Sequence, residues 1–167
     1  MRFLAYAHSQ QKEEAYSALN ARKSYAAAAM RLMEVDEVTQ RNFDYFNAQM
    51  EAWYYILFGE YSKAEEQLTR LYSIASQIQR PSALDNYNGL SGMVRLFSGD
   101  AQGALSYFND NIIPENYLYY GYFKGLALKG AGENAKAEEV FNFIANYNFS
   151  GWGASLVRSL AIKQLES

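Results

Sequence analysis

A glycine, an acidic residue, three variable positions and an alanine recur three times along the chain, as Gly59-Glu60 to Ala64, Gly99-Asp100 to Ala104 and Gly132-Glu133 to Ala137. Seven residues before each glycine stands a small residue, Ala52, Gly92 or Gly125, and four after each alanine a large apolar one, Leu68, Phe108 or Phe141. The frame returns at intervals of 40 and 33 residues. A glycine just past a helical pattern takes the left-handed conformation that ends a helix at little steric cost. The residues after it can cap a second helix: Ser62 with Glu65 has the capping-box spacing, and Asp100 and Asn134 are good N-caps. Each copy therefore reads as a helical hairpin. Its small residues lie where the two helices approach closely, and its large apolar residue plugs the space between hairpins.

The predicted helices run over roughly 39–58 and 61–79, 84–98 and 101–111, and 115–130 and 134–146. Pro81 and Pro114 mark the breaks between hairpins, because proline disfavours helix at the residue before it. A last segment over 150–166, with Ser150 as N-cap, carries Leu156, Val157, Leu160, Ala161 and Leu165 at helical spacing. It is expected to cap the last hairpin, as stacked repeats require. Residues 1–38 form an N-terminal helix or partial repeat, in which Ala15 and Leu19 echo the frame. The chain opens in what reads as mid-helix. Residues 2–9 are thus expected to be the remnant of a partner helix in a chain cut from something longer; the alternative is one long helix packed across the first hairpin. All of this fits one domain over residues 1–167, large enough to bury a real core.

Composition narrows the chemistry. Fifteen basic residues against 18 acidic ones give a net charge of −3, which leaves no surplus for nucleic-acid phosphates. Cysteine is absent, which excludes disulfides and thiolate chemistry, and the single histidine, His8, is expected at a surface or edge. Glu65-Glu66 and Glu138-Glu139 read as solvated faces of second helices, and no calcium-loop or phosphate-loop spacing occurs. No catalytic residue, metal site or cofactor is expected. Neither a secretory leader nor a run of ~18 apolar residues is present, so the expected location is the cytoplasm, without membrane contact.

The twelve frame residues, with Tyr55 late in the first helix and Tyr61 after the turn, resemble the tetratricopeptide repeat family, a helix–turn–helix unit of about 34 residues. The resemblance covers roughly 39–147. The family's early Trp and Leu are replaced by Ala48 and Glu51, Asn88 and Ser91, and Gly121 and Lys124, and its late Pro by Ser76, Asn116 and Phe149. The C-terminal segment also resembles the closing helix of bacterial repeat proteins of this kind. The resemblance implies an all-α, right-handed superhelical stack of antiparallel hairpins with a capping helix, whose concave wall is lined by first helices. With ~100° per residue, one sector of those helices holds Phe46, Gln49 and Trp53, then Asn86 and Met93, then Tyr119, Tyr122 and Lys129. Ile56, Leu96 and Leu126 share the sector and are expected to be buried.

The expected function is non-enzymatic: a scaffold that binds a peptide or partner helix in this aromatic, amide-bearing groove. Self-association into a homo-oligomer through the same surfaces or the N-terminal edge is the first alternative. A small-molecule sensor module within a larger protein is the second. Fifteen tyrosines include Tyr117, Tyr119, Tyr120 and Tyr122 on just over one turn, so these must point in several directions and be exposed, hydrogen-bonded at an interface or covered by a partner.

Overall fold

A computed structural model describes residues 2–78, 81–108, 114–148 and 151–167, and the described residues form helices without any strand. The fold is all-α. Where one domain over 1–167 is expected, the helices group into two compact units, Met1–Gln79 and Arg80–Ser167.

The first unit holds α1 (Arg2–His8), α2 (Lys12–Arg31), α3 (Glu37–Leu57) and α4 (Tyr61–Ala75). α1 is a separate short helix folded back on α2 through a turn at Ser9–Gln11, where Gln10 has φ 58° and the Gln11 amide donates to the Tyr6 carbonyl at 2.9 Å. α3 and α4 form the first framed hairpin, with Trp53, Tyr45, Ile56 and Leu71 in its core. The second unit holds α5 (Pro81–Phe97), α6 (Ala101–Tyr107), α7 (Pro114–Gly130), α8 (Asn134–Ala145) and α9 (Trp152–Leu165). Here each helix packs on the next in sequence, and α5 meets α7 as α7 meets α9.

All three hairpin turns share one geometry. Gly59, Gly99 and Gly132 have φ of 73°, 88° and 83°. The residue after each glycine donates its amide back to the carbonyl of Tyr55, Arg95 or Leu128, at 2.8, 2.9 and 2.9 Å. The glycine amides reach Ile56, Leu96 and Lys129 at 3.2, 3.0 and 3.1 Å. This paired closure satisfies two carbonyls that a helix end otherwise leaves bare.

Capping differs from expectation at two turns. Asp100 does cap α6, its Oδ1 accepting from the Gly103 amide at 2.7 Å. Ser62 and Asn134 do not cap, because α4 starts at Tyr61, two positions too early for Ser62, and α8 at Asn134 itself, one position too early. Glu60 and Glu133 take the cap positions without a cap bond, and their carboxylates pair instead with Lys63 and Lys136. Ser150 lies outside the described residues, and Gly151 stands at the N-cap of α9. α4 and α6 end earlier than expected, at Ala75 and Tyr107; residues 109–111 fall outside the described residues.

The large residue of the frame has a different place from the one expected. A Cβ added at Gly92 would come within 2.7 Å of the Phe108 ring, and one at Gly125 within 2.5 Å of the Phe141 ring. Each ring therefore lies on the bare backbone of its own hairpin. The glycine makes room for the phenyl between the two helices.

Gly92→Ala is expected to lower the unfolding free energy by about 1–3 kcal/mol, because overpacking exceeds the gain in helix propensity. Chemical denaturation with Phe108→Leu as the second arm checks this: the smaller side chain should relieve the cost of the alanine, giving a coupled rather than additive pair.

Candidate functional site

In the second unit, the sector expected to line a groove instead faces the helix two places on in the chain. On α5, Asn86 accepts from the Tyr120 hydroxyl of α7 at 3.1 Å, and a Cβ at Gly89 would fall 2.5 Å from the same ring. On α7, Tyr119 meets Trp152 of α9 with ring centroids 5.3 Å apart, and Gly153 lies against its backbone. Tyr122 hydrogen-bonds Gln164 of α9 and packs on Phe141 at 5.9 Å. Lys129 donates to Gln164 and Ser167 at 3.1 and 3.0 Å. Tyr119 and Tyr122 are thus covered by the chain's own closing helix, while Lys129 reaches the end of that helix from an exposed position.

Burial follows. Trp53, Met93 and Tyr119 expose 1% or less, and Gln49, Asn86 and Tyr122 are buried as well. Of the expected lining only Phe46 and Lys129 are exposed. The correction is one of rotation: about 80° of helical arc that was assigned to an open wall is packing surface. Ile56 is buried as expected, whereas Leu96 and Leu126 are only partly covered. The tyrosine cluster is covered in the same way, with Tyr119 and Tyr120 fully buried and Tyr117 edge-on to Phe143 at 5.4 Å. Burial pushes the Tyr119 and Tyr122 phenols up from their ordinary value.

An open concavity lies elsewhere, on the first unit. α2 spans 20 residues yet buries only Ala15 and Leu19, whereas α3 buries nine of 21. One side of α2 is pinned to the α3–α4 hairpin. Lys12 reaches Glu60 at 2.9 Å, Lys23 pairs with Glu51, Arg22 donates to Asn47 at 3.4 Å, and Tyr16 packs on Tyr54 at 5.8 Å. The other side forms a groove of about 970 Å³ with α1, lined by Tyr6, Ala18, Ala21 and Tyr25 between Glu13, Glu14, Arg2 and Arg22. Tyr25 is 78% exposed. The stripe Glu14, Ala18, Ala21, Tyr25 has helical spacing and runs ~16 Å along the axis. Sequence reasoning missed this groove because Ala18 and Ala21 carry no apolar signal strong enough to stand out.

The shifted carboxylates are structural rather than convergent. Lys63 and then Lys12 hold the Glu60 carboxyl below its ordinary range, and the Thr39 amide does the same for Asp36 at the start of α3. Among the described residues no cluster of three or more His, Asp or Glu could hold a metal, and no helix is long and apolar enough to cross a membrane. Comparison with family models, with curated proteins and with solved structures found no match to this chain.

His8 ends α1 half-buried, and loss of water around the imidazole holds its pKa below the ordinary 6.5. The folded value lies under the unfolded one, so the unfolded chain binds the proton more readily. Stability is full above about pH 6.5 and declines as the pH falls through that value. Thermal melts between about pH 7.5 and pH 5 should show a loss that His8→Gln flattens, separate from the carboxylates titrating lower.

Proposed function

We propose that this chain is a non-enzymatic protein-interaction module that receives a helix of a partner protein in the α1–α2 groove, and that its hairpins form a tetratricopeptide-like right-handed superhelical stack. The observation that carries the reading is the lopsided burial of α2: a 20-residue helix held to its unit on one side and left open along a helical stripe on the other. A groove of about 970 Å³ with a small-residue floor and a large exposed tyrosine at its rim suits a docked helix, which recognises its site through anchors spaced by a turn. Tyr25 supplies a rigid amphipathic ring of the kind that anchors interfaces.

The non-catalytic part of the reading rests on where the polar chemistry goes. The perturbed carboxylates and lysines are engaged in caps and ion pairs, and the aromatic sector is engaged in packing. Perturbed groups that converge on a cleft would favour catalysis; here they are spread along turns.

Ala21→Arg and Tyr25→Ala test the reading, with Tyr72→Ala on α4 as a control outside the groove. In affinity capture from the native host followed by mass spectrometry, the groove variants are expected to lose the partner by about tenfold or more, while the control retains it. An identical set of captured proteins from all variants would overturn helix docking at this groove.

A further inference from the structure

The groove on α2 is electrically polar along its length. Glu13 and Glu14 stand at the start of the helix and Arg22 two turns further on. Arg2, at the start of α1, adds a second positive charge to the lining. Ala18 lies midway, four residues from Glu14 and four from Arg22. A rod that is acidic at one end and basic at the other complements its own copy turned end for end, whereas a parallel copy would place like charges together.

We propose that the occupant of the groove is a second copy of this chain, with α2 packed antiparallel on α2 about a two-fold axis at Ala18. Self-pairing rests on the helix-docking reading and names the partner. Each Glu14 then faces the Arg22 of the other copy, and the pair forms twice. At the axis Ala18 presents a single methyl, so the two backbones can approach closely. Tyr25, 78% exposed in the single chain, lies beyond the crossing, where the other copy can cover it. α2 contains neither proline nor glycine, so it offers an uninterrupted helix over this span.

The interface is of the small class, so its mass should be measured by light scattering over about 1–500 µM chain. Two-chain particles are expected in the upper part of that range. Glu14→Arg or Arg22→Glu alone sets like charges against each other at both ends and should weaken association at least about tenfold. Glu14→Arg with Arg22→Glu exchanges both members of each pair and should restore it, a rescue that a foreign helix with fixed charges would not give. Arg22 also touches Asn47, so melting curves accompany its variants, and exposed Glu14 supplies the arm free of that contact. The chain has no cysteine, so Ala18→Cys places a unique thiol at the axis. On mild oxidation it should form a two-chain disulfide, which needs Cα atoms within about 7 Å, much faster than Glu66→Cys on exposed α4.

Single-chain mass throughout, a double reversal as weak as the single ones, or equal cross-linking at both cysteines would each overturn self-pairing. If Ala21→Arg still strips a captured partner under those results, helix docking stands and only its occupant changes. If that substitution also leaves capture unaltered, both readings fall.

Discussion

Every helix pair in the framed hairpins depends on a backbone that can turn left at one residue. Gly59, Gly99 and Gly132 permit that turn, and the two hydrogen bonds closing each one return amides to carbonyls that would otherwise need water or a side chain. Those two carbonyls at each bend are thereby satisfied within six residues. The acidic side chain after the bend then takes different work in different hairpins. Asp100 caps α6, whereas the Glu60 carboxylate makes no cap bond, joins Lys63 and Lys12 and ties the start of α2 to the turn.

The glycines were legible because their role is local. A left-handed residue, an acidic neighbour and an alanine at fixed spacing can be recognised without any knowledge of what packs where. Helix type was legible for the same reason, and so was the capping role of Asp100. Ser62 and Asn134 show the limit of such reasoning. The closing bonds from Glu60 and Glu133 leave no free residue between turn and helix, so α4 begins two positions and α8 one position too early for those side chains to cap them.

The site was poorly legible, and rotation explains why. Helical angles say which residues share a face; they do not say which neighbour that face meets. Asn86 on α5 and Tyr119 and Tyr122 on α7 each lie in the expected sector, but the helix two places on, α7 or α9, occupies it. A bulky aromatic can anchor an interface between proteins or a joint within one, and spacing alone does not separate the two. The open stripe on α2 was hidden for the opposite reason. Alanines at Ala18 and Ala21 are good helix formers anywhere, so only the under-covered length of α2 reveals that a face is left over.

The identical turns have a bearing on how such a chain can change. A bend whose bonds close within itself asks nothing of the segments before or after it, so its geometry travels with a short stretch of sequence. Copying or deleting a whole hairpin leaves every remaining bend intact, and the adjustment falls on the connecting stretches, whose lengths already differ. Growth by duplication is thus built into the punctuation of the chain, while the ring-on-glycine contacts at Gly92 and Gly125 keep the helices of those two hairpins correctly spaced.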